Sequence, residues 1–108
     1  MTDKTQSPIN DLLKDIQINS EAIVSRTISK SATFNLTLFA FDKGQALSAH
    51  SSPMNAWVQV LSGAMTIRID QENYSLSPGQ LIQMPAGIPH ALEAREPSKM
   101  LLTMTVEK

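Results

Sequence analysis

From Glu21 onward the chain alternates apolar and polar residues with a period near two, the mark of strands with one buried face. The stretch Thr33 to Phe41 sets Phe34, Leu36, Leu38 and Ala40 on one side. Ala56, Val58 and Val60 oppose Trp57, Gln59 and Leu61. Met65, Ile67 and Ile69 alternate with Thr66, Arg68 and Asp70, and Met100, Leu102, Met104 and Val106 form a further inward set. Ala22 to Lys30 is rich in β-branched residues, and Tyr74 to Leu76, Leu81 to Met84 and His90 to Ala94 read as short strands. Turns fall at Asp42-Lys43-Gly44, Ser62-Gly63, Gln71-Glu72-Asn73, Ser77-Pro78-Gly79 and Pro85-Ala86-Gly87. Short strands at this spacing predict an all-β sandwich or barrel.

Before Glu21 the period differs. Ser7-Pro8 has the chemistry of a helix start, and Ile9, Leu12, Leu13 and Ile16 follow at helical spacing. A short helix laid on a larger body is expected here, as cover for that body or as a partner-binding element. Met1 to Ser7 reads as a polar tail. The chain thus divides into 1–20, tail and short helix, and 21–108, a β-barrel.

Length and composition narrow the class. At 108 residues the chain is one domain, too small for a barrel of eight β/α units. The 9 basic and 10 acidic side chains nearly cancel, so there is no electrostatic footprint for nucleic acid and no polybasic membrane anchor. No stretch is apolar and long enough to span a bilayer, and Met1 to Asn10 lacks the apolar run of a signal peptide. A cytoplasmic location is the expectation. The absence of cysteine removes disulfides, thiolate nucleophiles and Cys-based metal sites.

Chemistry is left to two histidines, His50 and His90. Asp70, Glu72, Glu93 and Glu96 sit at turns or solvent-facing positions, so no carboxylate pair is set up for acid–base work. A Ser52–His50 dyad lacks a carboxylate to orient it, and no Gly-x-Ser-x-Gly elbow occurs.

The histidines sit in two frames. Gly44, five residues, His50, one residue and Ser52, with Gly63 beyond, form the first. Gly79, five residues, Pro85, one residue, Gly87, two residues and His90 form the second. These frames resemble the two motifs of the cupin superfamily, in particular its small single-domain bacterial members. The resemblance implies an antiparallel double-stranded β-helix, the jelly-roll or cupin barrel, carrying the short N-terminal helix on its outside. It also implies a homodimer, for which the strand Ala22 to Ile28 and an outward Trp57 would offer surface, unless Trp57 packs under the N-terminal helix.

The departures from the family pattern bear on function. Metal-binding cupins hold an ion with two His and a Glu from the first motif and a His from the second. Here the second His position is Ser52, the Glu position is Ala56, and the second motif's Asn position is Ala94. His50 and His90 remain as metal ligands, for a divalent transition ion such as Zn, Ni, Fe or Mn, with Asn55 or Met54 able to join if Pro53-Met54-Asn55 is loop. Two imidazoles fall short of the three side-chain ligands usual in catalytic sites. Two functions stay open. One is a small-molecule-binding barrel with no cofactor, its pocket formed by Ser52, Met54, Ala56, Val58, Met65, Met84, Leu92 and Met104. The other is a metal-dependent dioxygenase, isomerase or decarboxylase acting on a small oxygenated substrate. Either way His50 and His90 are expected close together, facing the barrel interior.

Overall fold

A computed structural model describes residues 7–106. The tail expected over Met1 to Ser7 lies, Ser7 excepted, outside the described residues. Among the described residues nine strands are formed: β1 (Ile23–Lys30), β2 (Phe34–Phe41), β3 (Ala46–His50), β4 (Asn55–Ser62), β5 (Met65–Ile69), β6 (Glu72–Leu76), β7 (Leu81–Met84), β8 (His90–Ala94) and β9 (Ser98–Thr105). They build two antiparallel sheets, one in the order β1-β2-β9-β4-β7 and one in the order β3-β8-β5-β6.

The period of two sorts side chains between an interior and an exterior. Phe41, Ala56, Val58, Val60, Met84 and Met100 from the larger sheet meet Met65, Ile67, Leu76, Leu92 and Ala94 from the smaller one in a single core. The register of β9 between β2 and β4 aligns Phe39, Met100 and Val60 on the inner face. Leu38 and Leu101, also partners, face outward and belong to a second apolar cluster with Ile16 and Ala40.

That second cluster corrects the expectation of an N-terminal helix. Only a single turn forms, with the Asp15 and Lys14 N–H groups donating to the Asp11 carbonyl at 2.8 and 3.0 Å. The Asp15 carboxylate closes it by accepting the Asp11 N–H at 3.0 Å. The carbonyls that would continue a helix are taken by the barrel: the Lys99 ammonium donates to Leu13 O and the Arg26 guanidinium to Asp15 O. A helix this short gains little from its own hydrogen bonds. The chain instead runs as a strap that buries Ile16 against Leu38 and Ala40, flanked by Leu12, Ile18 and Val24. Ile9 and Leu13, placed on the same helical face by their spacing, are 78% and 50% exposed. Trp57 lies half-buried on the outer face of β4, outside this cluster.

Two local devices fix the ends of strands. The Asp42 carboxylate accepts the Glu21 N–H at 2.7 Å and the Lys43 N–H at 2.8 Å, tying the start of β1 to the end of β2. Glu21 has φ 54°, a left-handed conformation that this bond helps to hold. In the β4–β5 connection Gly63 has φ 87° and packs on β9 so closely that a Cβ would stand 2.3 Å from Pro97 O and Ser98 Oγ. The buried Ser98 hydroxyl accepts the Ala64 N–H at 3.0 Å and lies 2.7 Å from Glu96 O.

Candidate functional site: a two-imidazole cavity

His50 ends β3 and His90 begins β8, and the two are register partners. What brings them together is the corner expected from Pro85-Ala86-Gly87. Gly87, at φ 78°, donates its N–H to Ser52 O at 2.7 Å. The Ala86 N–H donates to Asn55 Oδ1 at 2.9 Å. The corner is thereby pinned to the loop that follows His50, and β8 starts beside β3 with His90 turned inward. Asn55, a candidate to join a metal, spends that oxygen on this bond. A register slip between Leu47 and His50 sets the ring at the end of β3.

The imidazole centroids are 4.5 Å apart with planes at 66°, an edge-to-face pair. His50 Nδ1 lies 2.8 Å from Ser48 O and His90 Nδ1 lies 3.3 Å from Ile88 O, each the carbonyl two residues upstream. A ring nitrogen against a carbonyl must carry the hydrogen. Each ring thus carries a hydrogen on Nδ1, and in the neutral ring Nε2 is left as the acceptor. His90 is buried and His50 exposed. Burial holds the His90 pKa below the ordinary 6.5, the charge of His50 adds to that, and the bond to Ile88 O opposes it.

The rings border a cavity of about 280 Å³ lined by Leu47, Ser52, Ala56, Met84, Leu92, Met100, Leu102 and Met104 as well. Of the expected pocket residues, Ser52, Ala56, Met84, Leu92 and Met104 line it. Val58 and Met65 are fully buried in the packed core, and Met54 lies in the loop after Ser52, its N–H donating to Ser52 Oγ at 3.1 Å. Leu47, Met100 and Leu102 are additional lining residues. The alternation along β9 already turned Met100 and Leu102 inward. Leu47 had no comparable signal, because β3 carries no β-branched residue and no Phe, Tyr or Trp.

The cupin motifs imply a metal held by three His and one carboxylate. The cavity offers two imidazoles and one hydroxyl; Ala56 stands at the carboxylate position, 1% exposed between Met84 and Met104. Among the described residues no Asp, Glu, Lys or Arg lines it. Among the described residues no group of three or more His, Cys, Asp or Glu is placed to hold an ion. These residues do not fit the three-His, one-carboxylate set. Among them, too, no helix is long and apolar enough to cross a membrane.

Residues 37–106 match the family model of the cupin domain. The chain is 43% identical to a conserved protein of unknown function from Streptococcus pyogenes, covering 95% of this chain and 90% of that one with a TM-score of 0.89. It is 31% identical to a cupin 2 conserved barrel domain protein from Leptotrichia buccalis, over 89% of this chain and 47% of that one, TM-score 0.86. A cupin superfamily protein from Desulfitobacterium hafniense shares the fold at 23% identity and TM-score 0.82, over 85% and 84% of the two chains. No functionally curated protein matches the sequence. The two motif frames, the paired sheets and the family match agree: this chain belongs to the cupin family.

Proposed function

We propose that this cupin is a small-molecule-binding barrel, sensing or sequestering a compact, largely apolar ligand between its sheets. One observation carries the reading: a 280 Å³ cavity walled by aliphatic and thioether side chains has its polar groups gathered at the His50–His90 end. Ligand sites are typically concave and apolar, with a few convergent polar groups that orient the occupant. Methionines suit such a wall, because their flexible thioethers adapt to irregular shapes. The binding unit is residues 21–108, with the strap bracing its outer face.

A second reading, a metal-dependent enzyme for a small oxygenated substrate, draws on the two imidazoles paired at the edge of the cavity. It would require the substrate or water to complete the coordination that Ser52 and Ala56 do not supply. The two readings separate on one preparation. Untagged protein purified without added metal is analysed for transition elements and, after denaturation, for released organic compounds by mass spectrometry. The binding reading expects an organic ligand and less than about a tenth of an equivalent of metal. A stoichiometric transition metal, lost in His50→Ala, would replace it with the enzyme reading.

The proposal includes a cytoplasmic homodimer. Support comes from Trp57 and Leu81 on the outer face of β4 and β7, Leu81 being 59% exposed on an edge strand. The outward residues Val24 and Ile28 of β1 pack against the cluster under the strap and offer less. Light scattering at micromolar concentration decides: a monomer mass would remove the dimer and leave the cavity reading intact.

A further inference from the structure

Resting on the binding reading above, we infer that the cavity selects a neutral, single-ring aromatic alcohol, its ring among the methionines and its hydroxyl against the imidazole pair.

Size sets the first limit. An apolar cavity of roughly 150 Å³ already accepts benzene. At about 280 Å³ this one has room for one substituted ring, and it falls just below the ordinary range for larger ligands.

Charge sets the second. Among the described residues no cationic side chain lines the cavity to pair with a carboxylate or phosphate. Among the same residues no carboxylate lines it either, so an ammonium group would enter without a counter-charge from them. A neutral ligand remains.

Hydrogen-bond polarity sets the third. With Nδ1–H of each ring committed to a backbone carbonyl, a neutral imidazole has only its Nε2 acceptor left to offer. Ser52 Oγ accepts the Met54 N–H, which leaves its own hydrogen to donate. Acceptors beside one donor match a group that both gives and takes a hydrogen bond. A hydroxyl does so; a carbonyl oxygen only accepts.

The walls set the fourth. Met84, Met100 and Met104 bring three thioethers to one small space. Sulfur packs favourably on aromatic rings, which favours an aromatic body over an aliphatic one.

The test compares phenol, toluene and benzoate by isothermal titration at pH 8 with chelator present, where imidazoles of ordinary pKa are neutral and phenol keeps its proton. Phenol is expected to bind about fivefold or more tighter than toluene, the size of one net hydrogen bond. Benzoate is expected not to bind. In a His50→Phe, His90→Phe double variant, the preference for phenol over toluene should be lost. Equal affinity of phenol and toluene in the wild-type protein would overturn the inference and leave an apolar binding cavity. Benzoate binding at least as tight as phenol would overturn it as well. Failure of all three compounds to bind would overturn the binding reading itself. The wild-type panel decides even if the double variant does not fold.

Discussion

The imidazoles of His50 and His90 stand 4.5 Å apart, centroid to centroid, as register partners of β3 and β8. Ser52 lies just past the end of β3 and Ala56 near the start of β4, and both line the same cavity. Side chains at these two positions would therefore converge with the imidazoles. Replacing Ser52→His and Ala56→Glu together should tighten zinc or nickel binding by at least about 100-fold, since three imidazoles and a carboxylate satisfy a transition ion with a position to spare. The same variant without metal should melt lower than the parent, because a carboxylate buried between Met84 and Met104 has no cationic side chain beside it among the described lining residues. Competition titration and melting with and without metal check both halves. Unchanged affinity would mean that residues 52 and 56 do not face the histidines.

Gly63 should be the least replaceable glycine. A methyl group there would meet Pro97 O and Ser98 Oγ at 2.3 Å, on backbone already at φ 87°, whereas nothing lies within 4 Å of one at Gly79. Gly63→Ala is expected to cost about 2–4 kcal/mol, and Gly79→Ala about 1 kcal/mol for its positive φ alone. Denaturant midpoints of the two variants should rank in that order, and equal losses would count against the close packing of the β4–β5 turn on β9.

Asp42 should make stability depend on acid pH. The N–H groups of Glu21 and then Lys43 hold its carboxyl below the ordinary 3.8, with a small opposing effect of burial. A carboxyl lowered in the folded state binds protons more readily when unfolded. Its contribution is therefore complete above the ordinary carboxylate range and is lost as pH falls through the lowered value. The stability gap between wild type and Asp42→Asn should be larger at pH 7 than at pH 2.5. A gap that does not change with pH would show that the carboxylate charge is not what ties Glu21.

The strap gives a contrast between two isoleucines of one apolar stripe. Ile16 is 4% exposed and Ile9 78% exposed. Ile16→Ala should destabilise by about 2–4 kcal/mol, and Ile9→Ala by less than about 0.5 kcal/mol. Similar losses at both sites would favour the amphipathic helix that the spacing suggested.

Much of the barrel is written in its period-two pattern. Met65–Ile69, Leu81–Met84 and His90–Ala94 form over the residues their alternation and flanking turns indicate. Residues of β3 were harder to read, because Ala46-Leu47-Ser48-Ala49-His50 has no β-branched residue and no Phe, Tyr or Trp, and the register slips within it. Leu47 was accordingly missed as a cavity residue. The helix expectation failed for a different reason: spacing shows which residues want burial, while tertiary partners decide the backbone. Lys99 and Arg26 capture carbonyls that a helix needs, and no local pattern within residues 7–16 announces them. The histidine pair was legible through the glycine and proline frame around it. The hydrogen bonds that pin the corner, from Gly87 to Ser52 and from Ala86 to Asn55, join residues more than thirty positions apart and emerge only in the fold.

The central claim is that the space beside His50 and His90 takes up a small apolar molecule. Methyl NMR of protein carrying carbon-13 methionine methyls tests it directly, because Met84, Met100 and Met104 line that space while Met65 belongs to the packed core and Met54 to the loop. On titration with toluene, saturable ring-current shifts at Met84, Met100 and Met104, larger than any at Met65 or Met54, are the predicted result. An unmoved spectrum at saturating toluene, or shifts confined to Met54, would contradict it.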